Sequence, residues 1–316
     1  MMTRLLPGLL MLMFVAGAAS AQVPPASAPP QQSSAKDVQT KNLDSRSSEE
    51  QPCPQGQNQT DEAHFRDYVI RTFRGPNFEG CVQIFKSAAV VYSLTSADFK
   101  IGNNFWHGTP IPIGTDVTGK GIPNAILADW SGGAHCCYTL HVFEIGKKFK
   151  EIGRIEAGDG DGDNFVDPKH DGSYEFVGHD WEFGYWKASF SESPAPQIIL
   201  KYRAGKFRLA LDLMKTPAPT PQQLADLIES VRTEDKWSLI AAKDCSQECG
   251  VPPALWAKML DLIYGGNAGS AWKLFNESWP KQFEGKEQFA KEFCQQLHGS
   301  KYWRELKPTV GRCPRL

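Results

Sequence analysis

The chain has 316 residues, with 34 Lys and Arg against 36 Asp and Glu, a formal charge of −2 and a mean hydropathy of −0.39. That near balance, with neither sign gathered into a stripe, excludes nucleic acid as a partner class, because phosphate binding requires concentrated Lys and Arg. The length suffices for one large or two ordinary domains once polar terminal sequence is set aside.

Residues 1–21 have the pattern of a secretory signal peptide: Arg4, an apolar run over 5–18, and Ala19-Ser20-Ala21 as a small-x-small cleavage site. The run is shorter than a bilayer span of roughly 18–20 residues, so cleavage, export to the periplasm or cell exterior, and no membrane span are expected. Residues 22–59 are rich in Pro, Ser and Gln and poor in large apolar groups, which predicts a disordered linker. All eight Cys follow the leader, and an even count in an oxidising compartment reads as disulfides. Proximity pairs Cys53 with Cys81 and Cys294 with Cys313; Cys245 and Cys249 fit either a local bridge or two half-bridges.

Taken in chain order, Phe65, Tyr68 and Val69 predict a short helix over 61–71. Residues 81–92 alternate and carry Val and Ile, predicting two strands that turn near 86–88, and turn signals recur about every ten residues through 99–211. Thr220-Pro221 then forms an N-cap and first-turn pair. Leu224, Leu227, Ile228 and Val231 follow at helical spacing. Further helical stripes run through Leu255, Trp256, Met259, Leu260 and Ile263, ended by Gly265-Gly266; through Ala271, Trp272 and Phe275; and through Phe289, Phe293 and Leu297.

Two segments of the β-rich stretch repeat at an offset of 51. Asp116, Gly121, Asn124, Asp129 and Trp130 align with Asp167, Gly172, Glu175, Asp180 and Trp181. The offset grows to 58 at the following strands, which puts about seven extra residues in the second copy, near 191–196. Such periods signal stacked or radial units that cannot bury their apolar faces alone. The segment from Asp116 to Asn124 resembles the FG-GAP/VCBS-type repeat of secreted β-propellers, over about residues 110–211. The resemblance implies blade-like antiparallel strands and, in many members, a calcium-binding loop; here His135 follows Gly132-Gly133-Ala134 where that family would have Pro. Two copies cannot close a propeller, so the expected fold class is α+β. An antiparallel β-rich domain over 60–215, partial propeller or sandwich-like, precedes a small helical region over 216–316.

Calcium takes six to eight oxygen ligands. In the first copy Lys120 stands where an oxygen would be wanted. The second region gathers Asp159, Asp161, Asp163, Asp167, Asp171 and Glu175, the candidate metal ligands. It departs from an EF-hand at Asn164 and His170, and a solvated Gly-rich loop is the competing reading. Cys136 and Cys137 lie next to each other; Cα atoms about 3.8 Å apart across a trans peptide fall below the usual ~4.4 Å of a bridge, and alternation along a strand favours separate bridges, against a vicinal bridge or a metal or redox site with His135 and His141. His179-Asp180 looks catalytic, but Asp180 and Trp181 have counterparts in the first copy, which assigns them to the fold. Phe183, Tyr185 and Trp186 suit core packing or the stacking of a ligand. No nucleophile elbow, His-Glu-x-x-His helix or phosphate-cradling Gly loop is present, and no catalytic residue is assigned. The leading expectation is an exported, non-catalytic binding or scaffold module for a protein or carbohydrate partner, stabilised by calcium if the acidic loop binds it. The alternative is a secreted hydrolase using that loop with His135 or His179; it requires Asp171, Glu175 and a His to converge.

Overall fold

The computed structural model describes residues 53–102, 110–134, 136–160, 162–239, 250–311 and 313. The expected leader, most of the expected linker, His135, Asp161, Cys245 and Cys249 therefore lie outside the described residues. Twelve described strands form three antiparallel sheets of four, each a meander in which every strand pairs with its chain neighbour. The first sheet is β1 (Asn58–Phe65), β2 (Tyr68–Arg74), β3 (Gly80–Lys86) and β4 (Ala89–Ser96); the second is β5 (Asp98–Ile101), β6 (Asn124–Trp130), β7 (Tyr138–Ile145) and β8 (Phe149–Gly158). The third is β9 (Asn164–Val166), β10 (Glu175–His179), β11 (Gln197–Arg203) and β12 (Lys206–Leu209).

The helix predicted over 61–71 is instead the β1–β2 hairpin. Arg66 takes φ +57° and reverses the chain, so Phe65 and Tyr68 face each other across the turn, and burial alternates along β2 at Tyr68, Ile70 and Thr72. Three aromatic and aliphatic residues at helical spacing were too short a run to separate the two periods. The predicted turn near 86–88 is present, with Ser87 and Ala88 both at positive φ between β3 and β4.

The second sheet is the middle layer. Along β6, Ala125 and Leu127 join Tyr68, Ile70, Val82, Ile84 and Phe99 in one apolar cluster, while Ile126 and Ala128 join a second cluster with the third sheet and the helices. A strand buried on both faces reads as a continuous apolar run, which is why the sequence between Asn124 and Asp129 lacks polar alternation. The third sheet is covered in turn by α2 (Pro221–Arg232), α4 (Pro253–Tyr264), α5 (Ala268–Ser278) and α6 (Lys286–Gly299), with short turns α1 (Leu211–Met214) before them, α3 (Lys236–Leu239) between α2 and α4, and α7 (Trp303–Leu306) after them.

Each long helix follows its sequence signals. In α2, Thr220 accepts from Gln223 N while the Gln223 side chain accepts from Thr220 N, a complete capping box ahead of Pro221. Helix α4 stops at Gly265, and Gly266 at φ +80° starts the turn into α5. Trp256, wholly buried, packs between Trp186 and Phe289 and joins α4 and α6 to the loop after β10. Cys53–Cys81 and Cys294–Cys313 are bonded as proximity suggests, across separations of 28 and 19 residues; loops of that size are worth roughly 3 kcal/mol each. Cys136 and Cys137 are bonded to each other, not to distant partners. The peptide between them is cis and their Cα atoms are 3.0 Å apart, so the trans geometry that argued against a vicinal bridge does not apply. No helix among the described residues is long and apolar enough to cross a membrane.

Candidate functional site

The repeated Asp residues build the same turn twice. Asp116 accepts from Thr118 N at 3.0 Å and from Gly121 N at 2.5 Å; Asp167 accepts from Asp171 N at 3.2 Å and from Gly172 N at 2.8 Å. In both, the fifth residue on is Gly at positive φ, +70° and +80°, with open space around it, so backbone conformation and not room demands glycine. Burial alone would raise the Asp116 carboxyl, but the bonds from Thr118 and Gly121 outweigh it and hold the group low. The next repeated position differs. Asn124 is buried and accepts from Val117 N, whereas Glu175, also buried, pairs with Lys201 at 3.2 Å.

Of the six carboxylates expected to hold a metal, those among the described residues have protein partners of their own. Asp163, 3 % exposed, accepts from both the backbone and the ring of His179, the latter at 2.7 Å. Asp167 and Asp171 cap their own turn, Asp171 through Ser173 N. Glu175 faces Lys201, Asp159 is half-buried, and Asp161 is outside the described residues. Among the described residues, no three His, Cys, Asp or Glu side chains are grouped so as to hold a metal ion. The groups that a hydrolase would bring together, Asp171, Glu175 and His179, thus have different partners, and His135 is not described.

Asp180 is a hub. Nearly buried, it accepts from Tyr264 Oη at 2.7 Å, Ser300 Oγ at 2.5 Å and Glu182 N at 3.1 Å, joining the end of β10 to α4 and to the link between α6 and α7. Glu182 lies beside it with its backbone carbonyl bonded by Gln296 at 2.5 Å, and burial, reinforced by the Asp180 charge, raises its carboxyl to about 7. His179 is held above the ordinary imidazole value by its bond to Asp163, against the opposing effect of burial. These groups make the polar centre of the seam between the third sheet and the helices.

A second charged chain starts between the first and second sheets. His141, 3 % exposed on β7, bonds Glu151 at 3.1 Å and approaches Asp129 at 3.4 Å, and Glu151 is gripped by Arg154 through Nε at 2.5 Å and a terminal nitrogen at 3.0 Å. Burial disfavours the His141 cation, yet the two carboxylates outweigh it and raise the ring. Burial likewise pushes Glu151 up, but His141 and Arg154 prevail and pull it down to about 2. Arg154 carries this chain to the wall of a cavity of about 340 Å³ where the edge strands β8 and β12 meet α7.

Arg154, Lys206, Arg208 and Lys301 line that cavity with Glu156 and Glu305, over Phe207 and Tyr302. Arg208 meets Glu305 at 3.3 Å, and Lys301 bonds the Glu156 backbone and lies 3.7 Å from its carboxylate. Burial lowers the Lys301 ammonium despite Glu156 and Asp180. The meeting of the two edges depends on Gly153: a Cβ there would come 2.8 Å from the Phe207 ring. The volume lies at the lower end of small-molecule sites.

No family model, no curated protein and no solved structure matches this chain.

The aromatic cluster after the second copy divides. Phe183 is wholly buried, Trp186 packs edge-on to Trp256, and Tyr185 alone stands 60 % exposed. Trp181 stacks on Phe190 at 5.4 Å, within the long β10–β11 connection that holds the extra residues of the second copy. The cavity escapes sequence reading altogether. Its four cations come from β8, β12 and the α6–α7 link, up to 147 residues apart in the chain, so no one run of sequence contains them.

Proposed function

We propose that this chain is an exported, non-catalytic binding module, and that its ligand is a small anion seated in the seam cavity. The observation that carries the reading is the lining of a space of about 340 Å³ by Lys206, which makes no ion pair among the described residues, together with Arg154, Arg208 and Lys301, which are shared with Glu151, Glu305 and Glu156, and beside Phe207 and Tyr302. Guanidinium and ammonium groups fixed on strand edges provide directional donors for a carboxylate or phosphate. The titratable groups elsewhere join one element to the next, as Asp180 and Asp163 do, which favours a scaffold over a reaction centre. Export is supported by the leader-like sequence over 1–21 and by bonded Cys pairs.

Three successive four-stranded meanders, with the same Asp–Gly turn in two of them, favour the FG-GAP/VCBS-like, partial-propeller reading; the first sheet and the helices cover the two open faces. Isothermal titration with inorganic phosphate and with citrate tests the ligand class. Binding by the wild-type protein, weakened roughly tenfold in Lys206→Glu at unchanged melting temperature, is expected, since one reversed charge at such a site is worth about 1.4 kcal/mol or more. Absence of binding of either anion by the wild-type protein refutes the reading.

A further inference from the structure

The Cys136–Cys137 bond has no structural loop to hold. The other two described disulfides join distant segments and each has one half wholly buried, at Cys81 and at Cys294. The vicinal pair has a sequence separation of one, so it removes almost no conformational freedom from the unfolded chain, and both of its residues are exposed in the β6–β7 loop. The loop is held by other means. Trp130 Nε1 donates to Gly133 O at 3.0 Å, Ser131 N donates to Cys137 O at 3.1 Å, and Cys137 N donates to Ser131 Oγ at 3.0 Å. Gly133 lets the chain fold back on itself, since a Cβ there would come 2.2 Å from Cys136 O. A disulfide that is accessible, contributes little to stability, and sits in a loop whose backbone is bonded independently can open without unfolding the protein.

We propose that Cys136–Cys137 is a thiol–disulfide exchange site whose co-reactant is a small thiol or dithiol. The thiolate of the reductant attacks one sulfur; the Cys136–Cys137 bond breaks, a mixed disulfide forms, and the released sulfur takes up a proton. A second thiol of the reductant then displaces the remaining cysteine, so two electrons and two protons pass to the pair and the reductant leaves as a disulfide. This inference stands apart from the anion cavity and survives its failure.

The test uses the full chain, oxidised, in graded dithiothreitol, followed by acid quench, maleimide labelling and peptide mapping. The peptide containing Cys136 and Cys137 is expected to take two labels at roughly tenfold less dithiothreitol than the peptides of Cys53, Cys81, Cys294 and Cys313, with near-ultraviolet circular dichroism unchanged. In Cys136→Ser, incubation with oxidised glutathione is expected to leave one glutathione on Cys137, and Cys137→Ser carries the same expectation for Cys136. Labelling only together with the buried pairs, or labelling without reductant, overturns the proposal. So does failure of both single variants to take up glutathione.

Discussion

Replacing Asp180 by Ala tests whether the second repeated Asp-Trp pair serves the fold. The substitution removes the acceptor shared by Tyr264 and Ser300, both about 4 % exposed, and leaves two buried hydroxyls without it. Hydrogen bonds to a charged group contribute about 1.5–3 kcal/mol each, so the gross loss is about 3–6 kcal/mol. Part of this returns because Glu182 no longer faces a neighbouring carboxylate. A net loss of about 3 kcal/mol is expected, a large share of the 5–15 kcal/mol typical of a domain, and Asp180→Asn should fall between. Urea unfolding at pH 5 and pH 8 measures it and checks the coupling. The Glu182 carboxyl rises from 4.5 to about 7 on folding, so its contribution favours the native state fully below 4.5 and is lost as pH climbs past 7. For a half-buried group this amounts to about 1–2 kcal/mol after solvent screening. Without Asp180 that pH dependence should shrink. A variant within about 0.5 kcal/mol of wild type, with the pH slope unchanged, refutes the hub.

The Asp129–His141–Glu151 chain sets opposite limits. The raised His141 stabilises below about 6.5 and loses this as pH rises through its folded value; the lowered Glu151 stabilises above 4.5 and loses this as pH falls towards 2. His141→Gln should therefore flatten the alkaline side of the stability curve, seen in denaturant midpoints at pH 6 and 8.5. Thr220→Ala should cost about 1 kcal/mol through the lost capping box, read from the same midpoints. Gly153→Val should cost about 1–3 kcal/mol and abolish anion binding by driving Phe207 off β8, which titration calorimetry would register. Because Asp163, Asp167, Asp171 and Glu175 are spent on protein partners, the melting temperature should be the same in excess calcium and in chelator; a rise of several degrees with calcium would show a site on the acidic loop.

The parts legible in the sequence were those governed by local chemistry. Thr220-Pro221-Gln222-Gln223 spells its own cap, and the Asp116/Asp167 register reappears as identical bonds to Gly121 and Gly172 because a five-residue turn needs nothing beyond itself. Helical stripes such as Leu255, Met259 and Ile263 were long enough to fix their period. Phe65 to Val69 was not, and pairing with β3 decided it for strand. The Cys136–Cys137 bond differs from the expectation because the peptide between the two is cis, a conformation that no neighbouring residue announces. The Asp180 hub joins residues 84 and 120 positions away, and the seam cavity joins β8 to residues near 300. Such convergence follows from how sheets and helices stack, which no run of neighbouring residues encodes.

Pairing each strand only with its chain neighbour also fixes an order of assembly. Every meander can close as soon as its own residues, about 40 to 60 of them, have emerged, since each strand pairs only with its chain neighbour. The first two sheets can thus bury Leu127 and Phe143 between them early. The third cannot finish covering its apolar face, because Phe176, Ile198 and Leu200 share one apolar cluster with Trp256 and Phe293, which emerge later. A chain cut short before residue 253 would carry three formed sheets and one bare apolar face, a surface for sticking to copies of itself.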